Sequence, residues 1–292
     1  MGPGDAGCER PAGAGITPAV QELVRAACGD RPVAGAIVLG SGLGVLLDSW
    51  EPETILAADA IPGYPASSVP GHAGRLAIVD WEGKAGLVFQ GRVHFYEGFG
   101  RAEVTFAVRL AAALGAEWLI LSNASGSVDP GVPAGSVLVI DDHIRLVLGL
   151  RASRGAQPGP CLRGSPYHAR RSVEAFREIS AEGMRVQHGV LFGGFGPTYE
   201  SASEVAMIRR AGATVACMST VIEAEEAARL GLEVIAISMV TNLATGLAGR
   251  PLEHGEVVAA AGEIGPRLAR AIDRLVRGWV AGAPSASGYS PG

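Results

Sequence analysis

GVLFGGFGPTYESASEVAMIRRAGATVACMSTVIEAEEAARLGLEVIAISMVTN, residues 189–242, is the stretch of sequence that decides the fold. It contains three short apolar runs, and small or polar residues follow each of them. Two segments with helical periodicity, 201–210 and 221–230, separate the runs. This alternation of strand and helix patterns predicts an α/β sheet.

The residues that follow the three runs carry distinct chemical groups. Glu200 comes after the first run, Ser219 after the second, and Asn242 ends the third. Ligands of open α/β sheets bind at the carboxyl ends of the strands. We therefore expect a carboxylate, a hydroxyl and a carboxamide to surround a single crevice.

Composition limits the class of protein. The chain has 292 residues, 48% of them hydrophobic, which is enough to bury a large core. A net charge of -5 argues against a nucleic-acid or anionic-membrane partner. No signal peptide and no apolar run of about 18 residues is visible. We expect a cytoplasmic protein with one domain at 16–282 between disordered tails at 1–15 and 283–292.

The cysteines indicate a reducing compartment. Cys8, Cys28, Cys161 and Cys217 are scattered and form no C-x-x-C pair, which excludes a zinc ribbon. The Asp141-Asp142-His143 cluster has no third ligand at a matching spacing. We interpret His143 as structural and expect no metal site.

Two glycine-rich segments follow predicted strands. GSGLG at 40–44 comes after a strand at 35–39, and it fits either an anion cradle made of backbone N–H groups or a tight strand-to-helix turn. GRVHFYEG at 91–98 follows a strand at 85–89. Alternation there puts Arg92, His94 and Tyr96 on one side, which suits an oxyanion and a sugar hydroxyl, or else an exposed polar edge.

The remaining elements follow from periodicity. Helices are predicted at 17–28, 101–114, 173–183 and 257–280, and strands at 76–79, 117–121 and 136–140. The run SNASGS at 122–127 is predicted to end its strand and to leave backbone amides accessible. Residues 145–171 are predicted to form a long surface loop.

Nine short motifs occur along the chain in this order: GSGLG (40–44), PGHAGR (70–75), GRVHFYEG (91–98), NASG (123–126), DHI (142–144), GPTYE (196–200), MST (218–220), TNL (241–243) and HGEV (254–257). Together they resemble the trimeric purine nucleoside phosphorylase family, whose sister branch is the methylthioadenosine phosphorylases. The resemblance covers about residues 16–280. It implies a single α/β domain whose mixed, partly barrel-like sheet is flanked by helices.

The resemblance also implies a reaction. Phosphate attacks the anomeric carbon of a purine nucleoside and releases the free base and (deoxy)ribose 1-phosphate. Such an enzyme is a pentosyltransferase of purine salvage that needs no cofactor beyond inorganic phosphate as co-substrate. The family assembles as a homotrimer, so we expect this chain to do the same.

Site residues carry over position by position. Phosphate is expected at Ser41, Arg92, His94, the backbone of Ala124, and Ser219. The purine is expected at Tyr199, Glu200, Cys217 and Asn242, and the ribose at Tyr96, Met218 and His254. The catalytic roles implied by the resemblance fall to Asn242, Glu200, His94 and His254.

Donor and acceptor chemistry predicts a 6-oxopurine. A carboxylate at Glu200 accepts from the protonated N1 of hypoxanthine or guanine, whereas adenine has no proton there. The methylthioadenosine branch carries serine and aspartate at the positions of Glu200 and Asn242. Taken singly, Glu200 also fits an acid near a helix N-terminus, Asn242 a turn residue, and His254 a helix cap.

Departures from the family pattern lie mostly around the sugar end. The connector after DHI is short and lacks the family's aromatic run that enters the neighbouring subunit, a role for which Tyr167 is a candidate. Cys217 replaces a usual glycine and would narrow the base pocket if its side chain pointed inward. We therefore keep three alternatives: a phosphorylase of a 5′-modified or methylthioadenosine-like nucleoside, a hydrolase using another nucleophile, and a catalytically silent nucleoside-binding relative.

Overall fold

The computed structural model describes residues 16–40, 43–69, 74–146, 164–247 and 254–282, without the side chains of 48 and 254–261. The two predicted tails and Ser41 lie outside these residues. The described strands are β1 Val33–Leu39, β2 Thr54–Ala57, β3 Arg75–Trp81, β4 Lys84–Gln90, β5 Trp118–Ser127, β6 Val137–Arg145, β7 Val186–Gly193, β8 Val215–Cys217 and β9 Glu233–Leu243. The described helices are α1 Pro18–Cys28, α2 Val45–Asp48, α3 Arg101–Val104, α4 Phe106–Ala113, α5 Ala169–Ala181, α6 Ala202–Arg210, α7 Val221–Arg229 and α8 His254–Val280.

All the described strands join one mixed sheet in the order β2-β3-β4-β1-β5-β8-β7-β6-β9. A further pairing of β5 with β9 closes the last five strands into a ring. Bulges between Ser125 and Gly126 and between Ile140 and Asp142 bend the strands of this ring. The prediction of a mixed, partly barrel-like sheet is therefore confirmed.

Both faces of the central strands are covered by apolar side chains. In β1, Ala36 and Val38 pack in the cluster with α1, α4 and α7, while Ile37 and Leu39 pack in the cluster with α5 and α8. This two-sided burial explains why β1 is an unbroken apolar run.

Four tryptophans fasten α8 to the sheet. Successive ring centroids lie 5.4 Å apart for Trp50 and Trp81, 5.3 Å for Trp81 and Trp118, and 5.0 Å for Trp118 and Trp279. The guanidinium of Arg171 lies 4.3 Å from the Trp279 ring. The ladder fills the interface between helix and sheet with aromatic contacts.

Several predicted boundaries were wrong because barrel closure lengthens strands. The run at 122–127 does not end its strand: β5 continues through it and pairs residue by residue with β9, for example Asn123 with Ser238. Likewise β6 continues through His143 along β7. Pairing with β9 and β7 bonds backbone groups along one edge of these segments, which the small and polar residues were expected to leave open.

Helix boundaries also differ from the predictions. The helix predicted at 101–114 is broken at Thr105, whose hydroxyl donates to the carbonyl of Arg101 at 2.8 Å. The last helix, α8, begins at His254 instead of 257. Within the segment 145–171, predicted as a loop, α5 begins at Ala169. Residues 147–163 of that segment lie outside the described part.

Gly40 allows β1 to approach β5 where the site begins. A Cβ at this position would lie 2.5 Å from the carbonyl oxygen of Ser122 and 2.8 Å from Cα of Asn123. Because both are backbone atoms, we expect Gly40→Ala to lower the free energy of unfolding by about 1–3 kcal/mol. Urea unfolding measures this. Gly278→Ala is the control: nothing lies within 4 Å of its added Cβ, and because Gly278 lies within α8 the alanine should leave stability unchanged or raise it by up to about 1 kcal/mol. An unchanged midpoint for Gly40→Ala would contradict the close approach.

Candidate active site

Arg92 and Ser219 meet where β4 and β8 end. Nη1 of Arg92 donates to Oγ of Ser219 at 2.9 Å, and Nη2 lies 3.4 Å from the carbonyl of Val38 at the end of β1. Arg92 is 8% exposed. Three strand ends thus hold one buried guanidinium beside a hydroxyl, an arrangement suited to an oxyanion.

A series of hydrogen-bonded polar side chains positions Thr220, the residue next to Ser219. Oγ of Ser238 donates to Oδ1 of Asn123 at 2.8 Å, and Nδ2 of Asn123 donates to Oγ1 of Thr220 at 3.0 Å. Thr220 has a φ of 73°, a left-handed conformation that is costly for a β-branched residue. Its N–H donates to Oε2 of Glu223 at 2.8 Å. These bonds hold the strained residue in place, and with it Ser219.

Glu223 completes this cluster. Its Oε1 lies 3.5 Å from Nε of Arg92, and the two side chains are only 2% and 4% exposed. Sequence reasoning did not single out Glu223. The T-x-x-E pattern from Thr220, a capping box at the start of α7, is the signal that could have found it.

His94 is held by Glu97. Oε1 of Glu97 accepts from the backbone N–H of His94 at 2.8 Å and lies 3.0 Å from its Nδ1. Burial lowers the pKa of His94, the bond to Glu97 raises it, and the nearby Arg92 lowers it, with a net decrease. The ring is therefore neutral near pH 7, with its proton on Nδ1 facing the carboxylate.

Glu97 in turn is tied to the loop before residue 70. Its Oε2 accepts from the N–H of Ser68 at 2.7 Å, from the Ser68 hydroxyl at 2.9 Å and from Oγ of Ser67 at 3.1 Å. Burial alone would raise the pKa of Glu97, but these bonds and the one from His94 hold it at about 2. Glu97 is a positioning residue that the sequence contained within a quoted motif but did not mark.

The lowered pKa of Glu97 predicts that its contribution to folding stability depends on pH. Because the pKa of Glu97 falls from 4.5 to about 2 on folding, the unfolded chain takes up the proton first as pH falls. The stabilising contribution is complete above pH 4.5 and is lost between pH 4.5 and 2. We expect Glu97→Gln to cost about 1–3 kcal/mol at pH 7 and progressively less toward pH 2. Denaturant titrations of both proteins at several pH values measure it, and a difference that stays constant with pH would be contrary to this account.

Tyr96, Met218 and Gly196 lie together beside His94. The rings of His94 and Tyr96 stack with centroids 4.8 Å apart. A Cβ on Gly196 would lie 2.5 Å from Sδ of Met218 and 2.8 Å from Cδ1 of Tyr96. The structure thus brings together two of the three residues predicted at the ribose. The third, His254, begins α8, and its side chain lies outside the described residues.

Glu200 lies at the entrance to α6 without serving as its cap. Ser201 is the N-cap, and Glu204 completes the capping box through the Ser201 N–H at 2.7 Å. Burial raises the pKa of Glu200, a hydrogen bond from its own backbone N–H lowers it and the charge of Glu204 raises it, with a net increase. A Cβ on Gly194 would lie 2.9 Å from Oε1 of Glu200, so the carboxylate leans over the end of β7. This geometry disfavours the interpretation of Glu200 as a capping acid.

Asn242 is part of β9 and not a turn residue. Its partner on the neighbouring strand β5 is Gly126, and a Cβ on Gly126 would lie 3.1 Å from Nδ2 of Asn242. Oγ1 of Thr241 donates to Oδ1 of Asn242 at 2.9 Å, which orients the carboxamide. Its Nδ2 donates to the carbonyl of Leu243 at 3.0 Å and has a second hydrogen to offer.

The elements bearing Glu200 and Asn242 converge. A Cβ on Gly246, just after β9, would lie 2.8 Å from Cβ of Ala202, just after Glu200. Ala124 and Gly126 lie on β5, which pairs with the strand that carries Asn242. Both are half-buried, whereas residues 123, 125 and 127 between and beside them are buried. Because side chains alternate along a strand, these two positions lie on the same face of β5.

Cys217 and Tyr199, both predicted at the purine, differ in their burial. The thiol of Cys217 packs in the core and donates to the carbonyl of Ser219 at 3.2 Å, so its side chain does not narrow a base pocket. Tyr199 is 54% exposed. Burial raises the pKa of the Cys217 thiol, which is therefore neutral.

Tyr167 does not reach toward another subunit. It is 6% exposed, and its hydroxyl lies 3.2 Å from Nδ1 of His143. Nε2 of His143 lies 3.5 Å from Glu225, which also pairs with Arg145 at 3.0 Å. Because its ring is packed within its own chain, the structure disfavours Tyr167 as the candidate for the family's intersubunit aromatic. These contacts agree with a structural role for His143.

Metal ligands and membrane-spanning helices are the two other features that bear on function. Nowhere in residues 16–40, 43–69, 74–146, 164–247 and 254–282 do three His, Cys, Asp or Glu side chains form a group that could hold a metal ion. Within the same ranges, no helix combines the length and the apolar character that crossing a membrane requires.

Comparison with known proteins gives consistent results. The family model of the phosphorylase superfamily matches residues 36–277. Purine nucleoside phosphorylase 1 of Geobacillus stearothermophilus is 37% identical over 247 residues, which are 82% of this chain and 89% of the relative. The crystal structure of a Schistosoma purine nucleoside phosphorylase with hypoxanthine aligns with a TM-score of 0.78 and 27% identity, over 88% of this chain and 95% of that one. The Schistosoma mansoni enzyme with adenosine aligns with the same TM-score at 26% identity, over 89% and 95%.

Proposed function

Since the chain belongs to the phosphorylase superfamily, and within it to the purine nucleoside phosphorylases, we propose that it acts on 6-oxopurine nucleosides through the site at the barrel's strand ends. The reaction class is purine nucleoside phosphorolysis, and the enzyme is a pentosyltransferase. The 6-oxopurine preference and the residue roles below are our proposals.

The phosphate end is formed by Arg92, Ser219 and His94. The guanidinium supplies charge and N–H donors. The Ser219 hydroxyl accepts from Arg92 and lies 3.2 Å from Oγ1 of Thr220, and it can turn its proton to the ligand. Neutral His94 carries its proton on the Glu97 side, so Nε2 accepts the P–O–H of a phosphate monoanion. Ala124 contributes its backbone, and Ser41 lies outside the described residues.

The base end is formed by Glu200 and Asn242. Cleavage of the glycosidic bond leaves negative charge on the purine, and an amide donor at N7 stabilises that charge most in the transition state. The carboxamide of Asn242, oriented by Thr241, fits this role. Glu200 accepts from N1–H, and from the exocyclic amine of guanine as well. Tyr199 remains a proposed contact of the base through its exposed ring, and Cys217 through its backbone alone.

The sugar end is formed by Tyr96 and Met218, with His254 near the 5′-hydroxyl. Because Tyr167 is buried in its own chain, it does not cover this end of a neighbouring site. This observation keeps a second candidate in place, a preference for a 5′-modified or methylthioadenosine-like nucleoside. Comparing inosine with 5′-modified inosines tests it, and equal rates would argue against it.

The observation that carries the main proposal is the direct bond between Arg92 and Ser219, which lie 127 residues apart in sequence. The test is base release from inosine, guanosine, adenosine and methylthioadenosine, each with and without phosphate. We expect release only with phosphate and at least about 100-fold higher kcat/KM for inosine and guanosine. Adenosine belongs in the panel because a related structure holds it. Phosphate-independent release would indicate a hydrolase, and binding without turnover a silent relative.

We also propose that the protein is a homotrimer in the cytoplasm and that 16–282 forms one domain. These proposals are supported by the family membership and by a single sheet that runs through the described residues. Size-exclusion chromatography with light scattering measures the assembly. A mass of about 90 kDa corresponds to three chains of 29.8 kDa, and a monomer peak would refute the trimer.

A further inference from the structure

The buried ion pair between Arg92 and Glu223 is the feature that the proposed reaction leaves unexplained. Arg92 is the cation proposed for phosphate, yet a carboxylate already lies 3.5 Å from its Nε. Both side chains are almost fully buried, so water screens their charges only slightly. A phosphate that binds Arg92 must therefore share that cation with a resident anion.

The net charge around the pair does not favour a strong anion site. Among the described groups around the proposed phosphate position, Arg92 is positive, Glu97 and Glu223 are negative, and His94 is neutral. Oε2 of Glu97 accepts hydrogen bonds from Ser67 and Ser68, which bind this carboxylate to the loop before residue 70. Glu223 lies directly beside the guanidinium, and at 3.5 Å it acts through charge more than through a directed hydrogen bond.

We propose that Glu223 is the resident counter-ion of Arg92 and that it weakens phosphate binding. In the empty site it neutralises a buried guanidinium that would otherwise be costly. When phosphate is bound, the same charge repels it. Glu223 thus sets phosphate affinity without contacting the substrate, and because ribose 1-phosphate carries the same group, it also limits product retention. The inference rests on the proposed phosphate site.

Glu223→Gln separates the charge from the other role of this side chain. The amide oxygen still accepts the Thr220 N–H that Oε2 accepts at 2.8 Å, so the helix cap and the strained Thr220 keep their support. The NH2 group then takes the place of Oε1 beside Nε of Arg92, so that the negative charge and its acceptor oxygen are both removed from the guanidinium. We expect the empty variant to melt at a lower temperature than wild type and to bind phosphate more tightly, because phosphate then becomes the counter-ion.

The experiment measures phosphate affinity in phosphate-free buffer by thermal shift, and the KM for phosphate with saturating inosine. For Glu223→Gln we expect both constants to fall about tenfold, and product inhibition by ribose 1-phosphate to tighten in parallel. Glu223→Asp, which keeps the charge, should stay within about threefold of wild type. Glu226→Gln is the matched control: this buried acid on the same helix pairs with Arg101 and Arg229, and its loss should leave phosphate KM unchanged.

The outcomes are distinct. An unchanged or raised phosphate KM in Glu223→Gln overturns the inference, as does a fall in melting temperature that phosphate does not correct. If the empty variant does not fold, purification with phosphate should restore it, and failure in both buffers also overturns the inference. If wild type itself neither binds nor requires phosphate, then the proposed phosphate site is wrong, which is a separate result.

Discussion

Glu200→Gln is expected to lower kcat/KM for inosine by about 10²–10³-fold. The carboxylate is half-buried above the end of β7, and its role as helix cap is already filled by Ser201 and Glu204. An amide in its place loses the charge-assisted bond to N1–H. Guanosine should suffer more, since two donors of guanine then face a single carbonyl oxygen. Adenosine should suffer least, because the new amide N–H can donate to its unprotonated N1.

Steady-state kinetics on the three nucleosides measures this change, and Glu204→Gln is the matched control. That substitution also removes a carboxylate near α6 but keeps a capping oxygen, so it should change kcat/KM by no more than about twofold. The pH profile is a second check. Because burial raises the pKa of Glu200, wild-type activity should decline on the acid side at a pH above the ordinary 4.5, and Glu200→Gln should lack that decline. Equal efficiency of Glu200→Gln and wild type on inosine would refute its base-reading role.

Asn242→Ala is expected to lower kcat by about 10²–10³-fold, with a much smaller change in KM. The lost donor stabilises charge that develops on N7 only as the bond breaks, so the effect falls on the transition state. Thr241→Val keeps the shape of its side chain but removes the hydroxyl that orients the carboxamide. We expect about a tenfold loss from that variant, comparable to one hydrogen bond.

The kinetic split distinguishes this role from a structural one. Gln187→Ala is the control, since it removes a carboxamide from the opposite end of β7 and should leave both constants unchanged. Circular dichroism verifies that Asn242→Ala is folded, as expected for a partly exposed side chain at a strand end. A rise in KM with kcat retained would mean that Asn242 binds substrate and transition state equally.

Local patterns were sufficient to predict the elements of the opening stretch. Its three apolar runs are β7, β8 and β9, and its two helical segments are α6 and α7. Each is bounded by residues whose own chemistry begins or ends an element, such as Ser201 at the start of α6. The boundaries of β5 and β6 could not be predicted in this way, because ring closure between β5 and β9 is a property of strands about 115 residues apart.

The residues of the candidate site likewise fall into those that local sequence patterns predict and those that depend on tertiary contacts. Residue types at strand ends indicated Arg92, His94, Ser219, Glu200 and Asn242. Their supports were missed because a support is recognised only by its tertiary partner, as with Glu223 beside Arg92 or Glu97 beside His94. Side-chain direction is equally invisible in the sequence. For this reason the sequence did not show that the side chains of Cys217, predicted at the base, and of Tyr167, a candidate for the subunit contact, are packed in the core.

We propose above all that this protein uses phosphate to cleave a 6-oxopurine nucleoside. The most direct measurement is inosine consumption by the purified wild-type protein in phosphate-free buffer and at increasing phosphate, with hypoxanthine and ribose 1-phosphate quantified together. We predict no consumption without phosphate, saturation with phosphate, and equal amounts of the two products. Free ribose as the product, at a rate independent of phosphate, would contradict the account.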